Sequence, residues 1–266
     1  MAQPATERRT GGCRRQPVTE LVRATSERGE LVLRRRHDHE LELRVNGVYV
    51  MDTAGTGSEQ QLAAAGVAAV ARPGRVLVAG LGLGVTLRTV LLDPRVQHVT
   101  VVELEPALVD WLRRGVVPGG PELLDDPRVV VLVADVADVV PQTRPRTYDL
   151  VLLDVDNGPD FLVHDANADL YREPFLRACA RLLDANGALV IWSMNESPPL
   201  VDRMRAVFGQ VWTQRCPVRL GTRDETYWLH LATPSPAPSP TLGAIAGVAP
   251  GTAPGAAPAT SADPGH

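Results

Sequence analysis

Short runs of valine and leucine alternate with helical segments through the middle of this chain, and this alternation restricts the fold more than any other feature of the sequence. The runs are almost continuously apolar, which is typical of parallel strands covered on both faces. The pattern therefore predicts an α/β fold with a mostly parallel sheet. The predicted strands are Arg75–Ala79, Val99–Val102, Val129–Val133, Tyr148–Leu153 and Ala188–Trp192, with Val211–Gln214 and Thr226–Ala232 as a closing antiparallel pair.

The two ends of the chain differ in composition from this middle part. Residues 233–266 are almost entirely Ala, Pro, Gly, Ser and Thr, which bury too little apolar surface to offset the entropy of ordering. Residues 1–17 are polar, arginine-rich and aperiodic. We expect a disordered arm and a disordered tail over these two ranges. Between them, β-prone runs around an Asn-Gly turn predict a small β-hairpin module at 30–55, followed by an α/β domain at 56–232.

Composition excludes several classes of function. The chain contains 27 basic residues, all of them arginine, so Walker-A phosphate binding and Schiff-base chemistry, which need a lysine, are excluded. The net charge of -4 gives no general attraction to nucleic acid or anionic membranes, and no apolar run reaches membrane-spanning length. Cys13, Cys179 and Cys216 lack the spacing of a metal site or a disulfide framework. We expect a soluble cytoplasmic protein without a metal.

The residues that follow the strands carry the chemistry, because ligands of such sheets bind beyond the carboxyl ends of the strands. The first strand leads into a loop with Gly80, Gly82 and Gly84, where glycine allows the backbone to approach a ligand closely. The second ends at Glu103, where a carboxylate can accept both ribose hydroxyls. Asp135 follows the third strand and could accept the exocyclic amine of adenine. Together they predict a nucleoside site, although each feature alone could simply end a strand.

The glycine loop also favours one kind of cofactor. The dinucleotide fingerprint requires a third glycine at the position of Val85, and the sequence reads G-x-G-x-G instead. This difference favours a nucleoside without a pyrophosphate, as in folds that bind S-adenosylmethionine.

A wider set of motifs supports this interpretation. The motifs are Val76–Gly84 with Leu87-Arg88, Val102–Glu105, Asp126–Val129, Ala134-Asp135 and Tyr148–Asp154. They resemble the spermidine/spermine synthase family of aminopropyltransferases, over a region from about Glu30 to Leu231. The resemblance implies a Rossmann-like sheet of the class I methyltransferase type that binds decarboxylated S-adenosylmethionine and transfers its aminopropyl group to a polyamine amine. It implies a divergent spermidine synthase-like transferase of polyamine biosynthesis.

Four positions depart from the family's pattern. The glycine-loop aspartate, which in the family holds the amino end of the aminopropyl group, is replaced by Leu83. The last aspartate of the family's D-x-x-D catalytic loop, which accepts the amine proton, is replaced by Asn157. A glutamine and a tyrosine of the family fall near Val50 and Ser58. The nucleoside half of the site matches the family and the polyamine half does not, so the resemblance supports the cofactor class more than the substrate.

Asp154 and Asp156, in the same loop as that asparagine, are the remaining candidates for the catalytic base. An amine must be neutral when it attacks, so a carboxylate within hydrogen-bond reach is needed to accept its proton. In the alternative interpretation Asp154 orders the loop and Asp156 is solvated. The loop from Asp156 to Leu170 is long and polar, as functional lids commonly are. His164 within it could shuttle a proton or could simply be solvated.

Three functions stay open at this stage. The first is aminopropyl transfer from decarboxylated S-adenosylmethionine to a small amine, the second is methyl transfer from S-adenosylmethionine on the same scaffold, and the third is nucleoside binding without catalysis. The acceptor is not identified. His37 and His39 lack an evident third metal ligand. An exposed hairpin edge would allow two subunits to pair as a homodimer.

Overall fold

The chain folds into two β-sheets and seven α-helices over the residues that a computed structural model describes, which are 18–36, 40–220 and 223–234. The predicted arm at 1–17, the predicted tail from residue 235 onward, and the pair His37 and His39 lie outside these residues. Within the described residues, no helix is long and apolar enough to cross a membrane.

The N-terminal sheet has four antiparallel strands in sequence order. They are β1 (Thr19–Ser26), β2 (Gly29–Arg36), β3 (Glu40–Val45) and β4 (Val48–Asp52). The predicted hairpin turn is present, with φ of 51° at Asn46 and 77° at Gly47. The sheet begins at Thr19, well before the 30–55 module that the sequence suggests. The first strand escapes the pattern because it is an edge strand whose side chains are exposed or half-buried throughout.

The second sheet has seven strands and is mostly parallel, which confirms the predicted fold class. Its strands are β5 (Arg75–Ala79), β6 (His98–Glu103), β7 (Val129–Val133), β8 (Tyr148–Leu153), β9 (Leu183–Ser193), β10 (Gln210–Leu220) and β11 (Arg223–Thr233). Their spatial order is β10-β11-β9-β8-β5-β6-β7. The last two strands form the predicted antiparallel closing pair.

Helices cover this sheet and divide the core into two apolar clusters. The helices are α1 (Gly57–Ala69), α2 (Val85–Leu91), α3 (Pro106–Arg113), α4 (Gly120–Leu124), α5 (Val136–Gln142), α6 (Glu173–Leu182) and α7 (Pro198–Val207). One cluster joins α1, α2 and α3 to the buried leucines of the N-terminal sheet, and the other lies under α5, α6 and α7.

The topology creates one crevice at the carboxyl ends of the strands. The chain leaves β5 for β6 on one side, and β8 pairs with β5 on the other side, so the connections diverge from β5. The segments after β5, β6, β7 and β8 therefore meet at this edge of the sheet. These segments contain all the residues that the sequence assigns to the site.

Candidate functional site

A cavity lies at the carboxyl edge of the parallel strands, and the N-terminal sheet closes one side of it through residues such as Leu31, Leu43 and Val50. Among the residues that the structure describes, the ionisable groups lining it are His164 and six carboxylates, and no arginine is among them. The six carboxylates are Glu59, Glu103, Glu105, Asp135, Asp154 and Asp156.

The glycine loop has a backbone that only glycine adopts without strain. The φ angles of Gly80, Gly82 and Gly84 are 93°, 51° and 82°. A Cβ atom at Gly80 would lie 2.0 Å from the carbonyl oxygen of Asp154. Gly80 and Gly82 line the cavity, whereas Gly84 precedes α2 and faces the side chain of Leu123. The loop thus brings its first two glycines to the cavity, and the third shapes the start of the helix.

Glu103 lies at the end of β6 and is only 5% exposed. Its two carboxylate oxygens accept hydrogen bonds from the backbone N–H groups of Leu81, at 2.8 Å, and Glu105, at 2.7 Å. Burial raises the pKa of Glu103, and these backbone hydrogen bonds oppose that shift. A carboxylate offers about four acceptor positions, so Glu103 retains capacity for hydroxyl groups of a ligand.

Asp135 links β7 to α5 and lines the cavity. Its Oδ1 accepts a hydrogen bond of 2.8 Å from the backbone N–H of Ala137 and caps the helix. Asp135 is therefore held in place by one oxygen, and the structure brings it to the same cavity as Glu103 and the glycine loop.

Asp154 follows β8 and lies beside the glycine loop. Its Oδ2 accepts a hydrogen bond of 2.7 Å from the hydroxyl of Thr86. Burial raises the pKa of Asp154 to about 6, a value suited to exchanging protons near neutral pH. Of the two aspartates that the sequence selects as bases, this one has the environment that such a role requires.

Asp156 has a different environment, since its carboxylate organises the loop that follows it. Its Oδ1 accepts hydrogen bonds of 2.7 Å from the backbone N–H groups of Asn157 and Val163. Its Oδ2 accepts bonds from the backbone of His164, at 3.4 Å, and from the side chain of Asn167, at 2.7 Å. Four hydrogen bonds match the full capacity of a carboxylate. The assignment of Asp156 as a catalytic residue stays a prediction, and this geometry favours a positioning role.

Glu59, in the first turn of α1, lines the cavity and was not selected from the sequence. Its Oε2 accepts a hydrogen bond of 2.6 Å from the hydroxyl of Ser58. Burial, assisted by the negative charge of Asp154, raises the pKa of Glu59 to about 7. An acidic residue in the first turn of a helix is common because it complements the helix dipole. The sequence therefore contains nothing that distinguishes Glu59, as a residue of the cavity, from an ordinary first-turn glutamate.

The positions that differ from the family pattern fall into two groups. Val50 and Asn157 line the cavity, whereas Leu83 is 3% exposed and packs in the core away from it. The backbone N–H of Leu83 lies 3.3 Å from the sulfur of Met51, which covers this side of the loop. Ser58 is buried, does not line the cavity and donates its hydroxyl hydrogen bond to Glu59. The loop therefore presents no carboxylate at the place where the family has its aspartate.

Comparison with families and curated proteins gives consistent similarities. A family model described as the spermine/spermidine synthase domain matches residues 57–214. Polyamine aminopropyltransferase 2 of Ralstonia nicotianae is 34% identical over 119 residues, which are 44% of this chain and 22% of that protein. Putrescine N-methyltransferase 2 of Nicotiana tabacum is 30% identical over 156 residues, with coverage of 54% and 42%. This chain spans less than half the length of these two relatives.

Solved structures share the fold. A spermidine synthase in complex with the transition state analogue AdoDATO has a TM-score of 0.71 and 18% identity, covering 82% of this chain and 74% of that one. Spermidine synthase from Thermotoga maritima has a TM-score of 0.67 and 18% identity, and the match covers 82% of this chain and 73% of that one. Human methyltransferase-like protein 13 in complex with SAH has a TM-score of 0.52 and 19% identity, and the match covers 67% of this chain and 83% of that one. The structural likeness confirms the fold that the sequence resemblance implied.

Proposed function

This chain belongs to the spermine/spermidine synthase family, and on that premise we propose that it is an enzyme that transfers the aminopropyl group of decarboxylated S-adenosylmethionine to a small amine. In this proposal Gly80 and Gly82 allow the nucleoside to approach the backbone, Glu103 accepts hydrogen bonds from the ribose, and Asp135 accepts one from the adenine amine. The names of the curated relatives, a polyamine aminopropyltransferase and a putrescine N-methyltransferase, support the transfer of a small group to an amine.

The observation that carries this proposal is the charge of the cavity. Its described lining contains six carboxylates and no arginine, and the chain contains no lysine. Decarboxylated S-adenosylmethionine has two positive charges, on its sulfonium and its amine, and a protonated amine acceptor adds more. Intact S-adenosylmethionine also has a carboxylate, which would enter a field of like charge. The acidic lining therefore favours the decarboxylated co-substrate.

The proposed reaction is an in-line displacement. The neutral nitrogen of the acceptor attacks the carbon next to the sulfonium, the carbon–sulfur bond breaks, and its electron pair stays on sulfur to leave neutral methylthioadenosine. The attacking amine loses a proton, which we assign to Asp154, because its carboxylate lies in the cavity and its pKa is raised by burial to about 6. Because the sulfonium is already activated, alignment of the nucleophile is the main task of the protein.

Glu59 supplies a second carboxylate at this end of the cavity. It faces the same cavity as Asp154 from a different element, and the negative charge of Asp154 helps to raise its pKa. In the proposed complex Glu59 draws the cationic acceptor into place. Its presence accounts for an acidic acceptor end in spite of Asn157, which cannot accept a proton.

Methyl transfer is a second candidate function, and the similarity to a putrescine N-methyltransferase favours it. Because Leu83 packs in the core, the glycine loop offers no carboxylate to the amine of an aminopropyl group. Methyl transfer from intact S-adenosylmethionine would need another group to receive the amine and the carboxylate of its methionine part.

Ligand-dependent stabilisation distinguishes the two candidates, because a ligand that binds only the folded protein raises its apparent stability according to occupancy. Unfolding temperatures are compared with decarboxylated S-adenosylmethionine, S-adenosylmethionine and methylthioadenosine at equal concentrations. A larger shift with the decarboxylated form, followed by aminopropylation of an amine panel detected by mass spectrometry, supports the proposal. A larger shift with the intact form and methylated products would replace it with the second candidate. Binding without any product would leave a nucleoside-binding protein.

A further inference from the structure

The strand β7 leaves one edge of the seven-stranded sheet open. It is the last strand in the spatial order, and within the part of the chain that the structure describes it pairs with β6 alone. Its side chains are those of four valines and one leucine. Three of them are largely exposed, Val130 at 57%, Leu132 at 39% and Val133 at 51%. An exposed apolar strand at the edge of a sheet is a template for pairing with another strand.

The other outer strands of the two described sheets are protected against such pairing. In the N-terminal sheet, β1 and β4 pair with their neighbours through register irregularities, and β1 also presents the exposed ion pair of Glu20 and Arg23. At the far side of the large sheet, β10 contains Pro217, which has no N–H to donate. By contrast, β7 has no charge, no proline and no irregularity in its register with β6. Because bulges, charges and prolines are what keeps sheet edges from pairing, β7 is the outer strand left able to pair.

The bonds between β7 and β6 show which backbone groups β7 presents at its open edge. The carbonyl of Arg128 accepts a hydrogen bond of 2.8 Å from the N–H of Val99, and the N–H of Ala134 donates one of 3.0 Å to the carbonyl of Glu103. Along a strand, the backbone groups of alternate residues point to the same neighbour. The even-numbered residues from 128 to 134 therefore bond to β6, and the odd-numbered residues between them point outward.

These outward groups complement themselves in one antiparallel register. The N–H of Val129 is already bonded to the carbonyl of Asp126 at 2.9 Å. The outward donors are therefore the N–H groups of Val131 and Val133, and no residue that the structure describes accepts them. When two copies of the strand are centred on Val131, the two Val131 residues exchange both of their hydrogen bonds, and each Val133 N–H meets the carbonyl of Val129 in the other copy. Both outward donors of each copy are then used.

We propose that β7 pairs antiparallel with β7 of a second copy of this chain, about a two-fold axis at Val131, so that the two seven-stranded sheets become one continuous sheet. The same register brings Val130 of each copy opposite Leu132 of the other, and their exposed apolar surfaces cover each other. Because both copies contribute the same edge, the assembly closes at a dimer. The dimer is independent of the proposed transfer reaction.

The oligomeric state of the full chain tests this pairing. Sedimentation velocity of the wild type between about 1 and 100 µM should show a concentration-dependent shift from monomer to dimer. Val133→Lys places a charge on the edge strand and should raise the dissociation constant of the dimer about tenfold or more. Val48→Lys is the matched control, because Val48 is 49% exposed but lies on β4 of the N-terminal sheet. That control should change the dissociation constant less than about twofold.

Val131→Pro examines the hydrogen bonds of the edge directly. Proline removes the outward N–H of this residue and leaves the ladder to β6 in place, since that ladder uses the even-numbered residues. We expect the dissociation constant to rise about tenfold or more, because both bonds at the two-fold axis are lost. Val131→Thr keeps the N–H and the branched side chain and should dimerise like the wild type. Urea unfolding establishes that each variant is folded.

A wild type that stays monomeric at about 100 µM overturns the proposal. Equal effects of Val133→Lys and Val48→Lys, or no effect of Val133→Lys, would place the dimer interface elsewhere and overturn it too. A Val131→Pro variant that folds and dimerises like the wild type has the same consequence. If Val131→Pro does not fold, the two lysine variants decide.

Discussion

The carbonyl oxygen of Asp154 lies so close to Gly80 that a Cβ atom at position 80 would approach it to 2.0 Å. The contact joins the loop after β5 to the loop after β8, which are the two segments on either side of the crevice. Because both partners are backbone, neither can move away cheaply. The approach of these two loops therefore depends on a glycine at this position.

We expect Gly80→Ala to destabilise the protein and to abolish binding of methylthioadenosine. The alanine must both adopt a φ of 93° and displace the backbone of Asp154. Chemical unfolding and calorimetry measure the two effects. Gly47→Ala is the matched control, since Gly47 has a φ of 77° but no atom within 4 Å of the place that a Cβ would take. The Gly47→Ala substitution should lower the free energy of unfolding by only about 1 to 2 kcal/mol, from the strain of a positive φ, and should leave the binding of methylthioadenosine unchanged. Equal effects of the two substitutions would contradict the close-approach argument.

Asp154→Asn is expected to lower the turnover number about 100-fold or more and to change the affinity for methylthioadenosine less than threefold. Asparagine can still accept the hydrogen bond of Thr86 but cannot take a proton. In the wild type, turnover should also fall as the pH drops below about 6, where Asp154 becomes protonated. Steady-state kinetics measure both. Asp160→Asn, an exposed aspartate in the following loop, should behave like the wild type. Full activity of the Asp154 variant would exclude it as the base.

Asp156→Ala should loosen the loop from 157 to 167 while leaving the sheet intact. The substitution removes the acceptor of four hydrogen bonds, three of them from backbone N–H groups of that loop. Hydrogen exchange at Val163 and His164 should become faster, with little change in β5 and β8. Asp165→Ala, an exposed acidic residue in the same region, is the control. Unchanged exchange with a strong loss of turnover would instead favour a direct catalytic role for Asp156.

Glu59→Gln is expected to increase the stability of the protein at pH 8 and to leave it nearly unchanged at pH 5. Burial and the charge of Asp154 raise the pKa of Glu59 from 4.5 to about 7 in the folded state. Between these two values the folded state binds more protons than the unfolded state, so stability falls as pH rises through this window. The glutamine does not ionise and avoids that loss. Urea unfolding at the two pH values measures the difference.

The control for this experiment is Glu173→Gln, which removes an exposed glutamate paired with Arg177 on α6. It should change stability little at either pH, because exposed pairs contribute little. If Glu59→Gln destabilises the protein equally at both pH values, Glu59 is a structural residue and its ionisation in the cavity is not costly.

The residues that the sequence could predict are those at the ends of apolar strands. Glu103 and the glycine loop follow strands whose pattern is unambiguous, and parallel topology brings such positions to one edge. Glu59 could not be found in this way, since its approach to the cavity depends on how α1 packs against the strands. The role of Asp156 in organising its loop could not be predicted from the sequence either, because its hydrogen-bond donors lie up to eleven positions away in an irregular loop.

A similar limit applies to the N-terminal sheet. The pattern identifies β2, β3 and β4, whose buried leucines join the core, but not the edge strand β1. The contacts of Glu105 with Ser26 and Arg28 could not be predicted for this reason, because they come from the last residue of β1 and from the turn after it. The acidic residue itself was visible two positions after Glu103, yet only the three-dimensional arrangement separates its engaged oxygen from its unpartnered one.

His230, in β11, provides the last prediction, which concerns acid stability. Its side chain is fully buried, with Nδ1 3.2 Å from the hydroxyl of Thr213. Burial lowers the pKa of His230 from 6.5 to about 4. Below pH 6.5 His230 is therefore protonated in the unfolded state but stays neutral in the folded state. The free energy of unfolding consequently falls by up to about 3 kcal/mol as the pH drops toward 4. His230→Gln should weaken this dependence in urea unfolding between pH 7 and pH 5, whereas the exposed His98→Gln should not. An unaltered pH dependence in the His230 variant would mean that other groups cause the acid sensitivity.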